Sequence, residues 1–189
     1  MAGSMPEREG DKLYNTSFVF NSAGCEIARH RNVYLFDINV EGGQHFMESK
    51  TLSAGNELTL FEAEGHRFGL CICFDIRFAE LSMAMALKGT QAIIVPAAFN
   101  MTTGPMHWEL TFRTRAVDNQ LYTLGAASAR DTDADYVSYA NSIVCSPSGN
   151  VIARAGANEE ALIANIEFGE VTNARAQLPI LFARRAGII

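Results

Sequence analysis

Apolar residues form short runs along this chain, and the spacing within each run distinguishes strands from helices. The first half of residues 68–81 is a run of small and β-branched apolar side chains, which is typical of a fully buried strand. Residues 77–88 carry Met, Ala, Leu and Glu without Gly or Pro, which favours a helix. Cys73 therefore falls where a buried strand meets a helix. Backbone N–H groups at a helix start lack partners and the helix dipole favours a thiolate, so this position suits a nucleophile.

The same spacing argument predicts the other strands. Aromatic and β-branched runs indicate strands, and turn residues between paired runs indicate hairpins around residues 21–24 and 147–150. The predicted strands lie at residues 14–20, 25–30, 33–36, 57–63, 91–97, 121–128, 142–146, 151–154 and 161–166.

Two further helices are predicted, one with Pro105 in its first turn that runs to about Asn119, and one at residues 170–177. Three segments are expected to lack regular structure: a charged lead-in, a loop hinged at Gly42 and Gly43, and an Asp-rich surface loop. They lie at residues 1–12, 37–52 and 130–135. Strands and helices alternate in the middle of the chain with hairpins on either side, which predicts an α/β or layered α+β fold.

Composition limits the classes of partner. The chain has 189 residues, 48% of them hydrophobic and 19% charged, as in an ordinary globular protein that can bury a core as one domain. Fifteen basic against 21 acidic residues give a net charge of −6 without a basic run, which argues against nucleic acid and anionic membrane surfaces as partners. The longest apolar run, residues 92–99, contains Pro96 and is too short to span a bilayer. The first twelve residues contain no apolar signal core.

Cysteine spacing favours free thiols. Four cysteines without a framework spacing predict reduced thiols in a cytoplasmic compartment. Cys71 and Cys73 stand two apart, so on a strand they share a face, and an alternative to the nucleophile is that both are small buried core residues. His66 is nearby, but one His and Cys-x-Cys lack the paired spacing of a zinc site, so no metal is expected. No glycine-rich nucleotide loop or phosphate-loop lysine occurs, so no cofactor is expected.

Two other groups could contribute chemistry. His107 at a helix start could serve as the base of a Cys–His hydrolase, although spacing alone cannot place it beside Cys73. Glu48 is a lone acid in a loop, and taken by itself it is expected to be solvated.

Longer motifs point to a family. Residues 69–81, Gly-Leu-Cys-Ile-Cys-Phe-Asp-Ile-Arg-Phe-Ala-Glu-Leu, resemble the nucleophile signature of the nitrilase or carbon–nitrogen hydrolase superfamily, with Cys73 at the position of the catalytic cysteine. The resemblance is to the omega-amidase branch in particular, and it covers nearly the whole chain in order. Its other segments are residues 12–16, 34–38, 46–49, 96–109, 115–119, 129–131 and 146–149.

The resemblance implies a fold and a reaction. Members of this superfamily are αββα sandwiches that dimerise and cleave the C–N bond of amides. A cysteine attacks the carbonyl, a glutamate acts as base, a lysine stabilises the tetrahedral intermediate, and water hydrolyses a thioester. The chain is thus expected to take a small amide as substrate and to form a homodimer.

The resemblance also assigns roles by position. Cys73 matches the nucleophile, and the backbone N–H of Phe74 would serve the oxyanion hole. Glu48 matches a second acid that holds or polarises the substrate amide. Asp75 and Arg77 match a pair that fixes the corner. The residues expected to bind substrate, by lining or supporting the pocket, are Phe99, Thr103, Trp108 and Arg77.

Two departures from the family pattern stand out. Asn32 occupies the position of the catalytic lysine, while Arg31 should point to the opposite face of an extended segment. Losing a charged oxyanion partner should remove roughly 3 kcal/mol or more of transition-state stabilisation. The second departure is that the base glutamate of the family lies in an N-terminal segment that this chain does not match, and Glu7 and Glu9 do not correspond to it. Residues 1–189 are therefore expected to be a single carbon–nitrogen hydrolase domain, incomplete at its N-terminus.

Two functional hypotheses follow. The first is an amidase that hydrolyses small ω-amides of dicarboxylates through a cysteine thioester. The second is a catalytically inactive homologue or truncated product, favoured by Asn32 in place of lysine and by the absent base.

Overall fold

A three-stranded antiparallel sheet opens the fold, in a computed structural model that describes residues 1–39 and 45–185. Its strands are β1 (Ala2–Glu9), β2 (Lys12–Phe20) and β3 (Glu26–Arg31), in that spatial order. A short ribbon of β4 (Asp37–Asn39) and β5 (His45–Met47) follows, and then a 3-10 turn at Glu48–Lys50. The hinge predicted at Gly42 and Gly43 lies outside the described residues.

A six-stranded mixed sheet forms the centre of the molecule. Its spatial order is β11–β10–β9–β8–β7–β6, and β7, β8 and β9 are parallel to one another. Helices α1 and α2 make the crossovers that parallel neighbours require. The elements are β6 (Thr59–Ala63), β7 (His66–Leu70), a 3-10 turn (Cys73–Arg77), α1 (Ala79–Leu87), β8 (Ala92–Pro96), α2 (Gly104–Asn119), β9 (Tyr122–Ala126), β10 (Ile143–Cys145), β11 (Val151–Arg154) and α3 (Gly169–Gln177).

Alternation along the central strands sends side chains to two different cores. On one face, Ile93 and Val95 of β8 pack with Trp108 and Phe112 of α2. On the other face, Leu70 of β7 packs against residues of the three-stranded sheet. Helices, large sheet and small sheet are therefore stacked layers, and the predicted α/β class is confirmed.

The expectation for residues 1–12 is wrong, because residues 2–9 form strand β1. The segment shows no apolar period since its outward face carries charge. Glu7 accepts hydrogen bonds from Thr16 on β2, at 2.7 Å, and from Arg29 and Arg31 on β3. These polar contacts take the place of an apolar face.

Two other strand predictions are wrong. Residues 33 and 34 form a bend and residues 35 and 36 have no regular structure, while the strand of that region, β4, begins at Asp37, inside the segment predicted to be loop. Residues 161–166 alternate between exposed and half-buried side chains as a strand would, but they pair with no strand among the described residues. Alternation reports which side is covered, whereas a strand also needs a backbone partner.

Among the residues described, no helix is both long and apolar enough to cross a membrane.

Gly125 on β9 tests the packing between sheet and helix. An added Cβ would lie 2.6 Å from Cζ of Phe112 and 2.9 Å from Cζ2 of Trp108. Because both rings are fully buried, Gly125→Ala should lower the free energy of unfolding by about 1–3 kcal/mol, measured by urea denaturation. Gly169→Ala is the control, since its Cβ would meet nothing within 4 Å. Equal unfolding free energies for the two variants would contradict this account of the packing.

Candidate active site

A cavity of about 450 Å³, the main cavity, lies beyond the carboxyl ends of β7, β8 and β9. Crevices at this edge of a parallel sheet are the usual ligand sites of α/β folds. The lining comes from both sheets and from the residues around the 3-10 turn at Glu48. Its members are Gly3, Ser4, Asn15, Asn32, Phe36, Phe46, Glu48, Cys73, Phe74, Pro96, Ala97, Ala98, Ala126, Ser128 and Tyr136.

Cys73 stands on a strained corner at the edge of this cavity. It begins the 3-10 turn three residues after β7 and has a φ of 42°, a conformation that non-glycine residues rarely adopt. Cys71, by contrast, is fully buried in the core below, where its thiol contacts the sulfur of Met85 at 3.9 Å. The structure therefore gives the two thiols different surroundings, one in the core and one in the cavity.

Burial controls the acidity of Cys73. It raises the pKa of the thiol to about 11, while a hydrogen bond from the Ala98 backbone and the charge of Arg77 act in the opposite direction. The carboxylates of Glu48 and Asp75 raise the pKa of Cys73 further. The expectation that the helix start would favour the thiolate is therefore wrong in its net effect, because desolvation is the larger contribution.

The Asp75 carboxylate holds the corner together. Oδ1 accepts hydrogen bonds from the backbone N–H groups of Val33 at 3.1 Å and Tyr34 at 2.8 Å. Oδ2 accepts one from Ile72 N–H at 3.0 Å and lies 2.8 Å from Nε2 of His30. The buried Asp75 side chain thus fastens the segment after β3 to the segment that carries Cys73.

Glu48 reaches the main cavity from the 3-10 turn that follows β5. Its carboxylate accepts a hydrogen bond from Phe36 N–H at 2.7 Å. Burial is the main reason that the pKa of Glu48 is raised, and the nearby charges of Asp37 and Asp75 add to it, while the Phe36 bond opposes it. A half-buried carboxyl beside a thiol is suited to holding or moving a proton, which a solvated loop acid is not.

Asn32 places a neutral amide in the same cavity. The residue is only 2% exposed, and its backbone is fixed by bonds to Asn15 and Gly55. Its Oδ1 accepts no hydrogen bond within the described part of the chain. Arg31 points away, into ion pairs with Glu7 and Glu9 on the outer face of the small sheet. Position 32 therefore contributes no charge to the main cavity.

The remaining predicted residues divide between lining and support. Phe74 lines the main cavity, while Arg77, Phe99 and Thr103 line a side cavity of about 20 Å³ that also touches Cys73. Trp108 is fully buried and packs edge to face against Phe99 at 5.0 Å, so it supports the wall from behind.

The Arg77 guanidinium lies in the side cavity, 4.4 Å above the ring of Phe99. It contacts Nδ1 of His107 at 3.1 Å and makes no ion pair with any carboxylate that the structure describes. His107 lines neither cavity, so the geometry does not bring it to Cys73 as a base.

Tyr136 belongs to the site and was missed by sequence reasoning. It lines both cavities, and its hydroxyl donates to the carbonyl of Ala98 at 2.6 Å. An Asp-rich stretch precedes it, which gave the loop the character of a solvated surface, so no signal in the sequence pointed inward. Within residues 1–39 and 45–185, no cluster of three or more His, Cys, Asp and Glu could hold a metal ion.

Comparisons with known proteins agree with this geometry. The carbon–nitrogen hydrolase family profile matches residues 1–176. Omega-amidase NIT2 of Danio rerio is 49% identical over 185 residues, 98% of this chain and 67% of the relative. The corresponding protein of Homo sapiens is 45% identical over 188 residues, 100% of this chain and 68% of the relative. This chain therefore spans about two thirds of the length of these relatives.

Solved structures show the same fold. The crystal structure of Nit3 from Saccharomyces cerevisiae, described as a member of branch 10 of the nitrilase superfamily, matches with a TM-score of 0.87 and 41% identity. The match covers 95% of this chain and 63% of that one. The NitFhit protein of C. elegans matches with a TM-score of 0.88 and 33% identity over 94% of this chain and 43% of that one. The predicted nitrilase-type fold is confirmed.

The raised pKa of Cys73 gives a test of the site's electrostatics. Because only the thiolate reacts, the rate of alkylation by iodoacetamide should rise about tenfold per pH unit from pH 8 to 10 and reach half of its plateau value near pH 11. Peptide mass spectrometry would follow Cys73, with the exposed Cys25 removed by Cys25→Ser. A plateau already reached at pH 8 would show that burial does not dominate.

Proposed function

The chain belongs to the carbon–nitrogen hydrolase family, and on this premise we propose that it is a thiol amidase acting on small ω-amides of dicarboxylates. The observation that carries the proposal is the meeting of Cys73, Glu48 and Phe74 in one cavity at the carboxyl ends of parallel strands. The volume of about 450 Å³ suits a short substrate.

The reaction proceeds in two stages. The sulfur of Cys73 attacks the amide carbonyl carbon, and the carbonyl oxygen gains negative charge beside the Phe74 backbone N–H. The C–N bond then breaks, the thiol proton is transferred to the leaving nitrogen, and ammonia departs from a thioester. Water hydrolyses the thioester to a carboxylic acid and restores the thiol. Glu48 holds the substrate amide and exchanges protons with it, for which its raised pKa is suited.

Arg77 would select the substrate, and the neutral Asn32 would limit the rate of turnover. An ω-amide of a dicarboxylate carries one free carboxylate, and Arg77 is a cation beside Cys73 that no described carboxylate neutralises. The relatives from Danio rerio and Homo sapiens are omega-amidases by name. Asn32 can donate a hydrogen bond to the developing oxyanion but supplies no charge, so turnover should be slow.

The alternative is a homologue that binds amides without turning them over. The observation in its favour is again Asn32, because a neutral amide occupies the position of the family's lysine.

An ammonia assay with succinamate separates the two. We expect slow ammonia release and an acyl adduct on the intact protein by mass spectrometry, both lost in Cys73→Ala. Asn32→Lys should raise kcat/KM on the order of 100-fold, the usual effect of one oxyanion donor, whereas the control Asn32→Leu should lower it. No adduct in the parent protein and none in Asn32→Lys would leave the inactive homologue as the explanation.

We also propose that the protein is a homodimer, as the family resemblance implies. The outward side of α2 exposes a stripe of apolar residues, the α2 stripe, formed by Met106, Leu110 and Val117. Leu110 is 63% exposed and Met106 is 58% exposed, and large apolar side chains grouped on one helix face favour association. A second copy of α2 related by a two-fold axis would cover the stripe.

Leu110→Asp tests this dimer. A carboxylate in the centre of the α2 stripe should shift the mass measured by light scattering from dimer to monomer, because an unpaired charge would be buried. Ile163→Asp is the control, since Ile163 is 87% exposed on a segment outside α2. A mass unaffected by Leu110→Asp would exclude the α2 stripe as the interface.

Two further proposals follow from the cysteines and the core. All four cysteines are free, and a nucleophilic thiol must stay reduced, which supports a cytoplasmic location. The large sheet contributes to all three core clusters, which supports a single domain across residues 1–189.

A further inference from the structure

Tyr136 stands at the junction of the two cavities. Together with Phe36, Cys73 and Ala98 it lines both of them. The residue is 39% exposed, so it lies between these cavities and solvent. The residue is therefore close to the reacting sulfur without being part of the elements that carry it.

The hydroxyl of Tyr136 is hydrogen-bonded to Ala98, whose backbone also contacts the sulfur of Cys73. It donates to the Ala98 carbonyl at 2.6 Å. The Ala98 backbone in turn hydrogen-bonds to Cys73 and lowers its pKa, as an N–H donor to a thiolate does. Ala98 lies two residues beyond the end of β8 and directly after Ala97, whose N–H donates to the Ala126 carbonyl of β9 at 2.9 Å. The Ala98 carbonyl and the Ala98 N–H lie in neighbouring peptide planes, so a hydrogen bond to the carbonyl restricts the N–H through the two backbone dihedrals of Ala98.

Two backbone contacts hold the same segments together. Tyr139 N–H donates to the Phe99 carbonyl at 2.7 Å. Asn100 and Ser138 form an antiparallel bridge. Residues 136–139 therefore run alongside residues 98–100, and Tyr136 is the position at which this contact reaches the nucleophile.

We propose that Tyr136 is a positioning residue for Cys73. The hydroxyl of Tyr136 holds the Ala98 backbone, so that the Ala98 N–H remains directed at the Cys73 sulfur. The proposal rests on Cys73 being the nucleophile of the proposed function. Tyr136 acts through Ala98, and the hydroxyl is the group that matters, since the ring alone would fill the same space.

The charges around Cys73 explain why this donor is needed. Glu48 and Asp75 both disfavour the thiolate, and burial disfavours it most. The thiolate is favoured by the positive charge of Arg77 and by the hydrogen bond that the Ala98 N–H donates to the sulfur. Burial is also the main reason that the pKa of Tyr136 is raised to about 12, so its hydroxyl is protonated and can donate at neutral and mildly alkaline pH.

Tyr136→Phe tests the proposal by a readout that needs no substrate turnover. The pH profile of Cys73 alkylation by iodoacetamide should shift upward by about half a unit, which slows alkylation about threefold at any pH below the midpoint. In ¹⁵N-labelled protein, the Ala98 amide signal should move when Cys73 is alkylated in the parent and should move less in Tyr136→Phe. Tyr14→Phe is the control, since Tyr14 packs against Arg31 in the small sheet and lines neither cavity.

The outcomes are distinct. A shifted profile with an unchanged melting temperature supports positioning through Ala98. An unchanged profile and an unchanged Ala98 response would overturn the proposal, even if succinamate turnover fell. Because alkylation does not depend on amide hydrolysis, a protein that proves inactive toward succinamate would still decide whether Tyr136 positions Cys73.

Discussion

The buried carboxylate of Asp75 is the interaction on which the rest of the site depends. Burying an ionised group is costly unless its lone pairs are satisfied, and here three backbone N–H groups and one imidazole nitrogen surround it. Each donor comes from a segment that has to be in place for the cavity to exist. His30 also contacts Thr59 at 2.9 Å, which extends the network from the small sheet to the large one. The carboxylate therefore couples the packing of two layers to the position of Cys73.

The same burial that makes this network strong works against the nucleophile. Burial raises the pKa of the Cys73 thiol, and the two nearby carboxyl groups of Glu48 and Asp75 raise it further. What remains in its favour is the hydrogen bond from the Ala98 backbone and the guanidinium of Arg77. Such donors are worth more in a desolvated site than in water, so small errors in their direction matter. A neutral residue at position 32 increases this dependence, because no second cation shares the task.

Sequence reasoning located the parts of the fold that are governed by burial. The parallel strands β7 and β8 were predicted because both of their faces are covered, which leaves an apolar run. Strand β1 was missed because its outward face is stabilised by ion pairs between Glu7 and the arginines of β3, and charges give no apolar period. Residues 161–166 show the converse, a half-covered segment without a strand partner. Periodicity reports solvent exposure, and hydrogen-bond pairing has to be established separately.

The site divides in the same way. Cys73 could be singled out from the corner between strand and helix, whereas Glu48 gained a role only from the family resemblance, since its neighbours in sequence do not indicate burial. Tyr136 was marked neither by a local pattern nor by the family resemblance. It lies in a polar loop 63 residues after Cys73 (136 − 73) and reaches the cavity only in the folded chain. Long-range closure of this kind leaves no local pattern.

Helix α2 takes part both in the wall of the side cavity and in the proposed dimer contact. Its buried side carries Trp108, which packs against Gly125 of β9 and supports Phe99 beneath Arg77. Its outward side carries the α2 stripe. The same 16 residues thus carry side chains that support the wall of the side cavity and the side chains of the proposed dimer contact. A substitution on one side of α2 therefore has to be checked for its effect on the other side, because both sides belong to one helix.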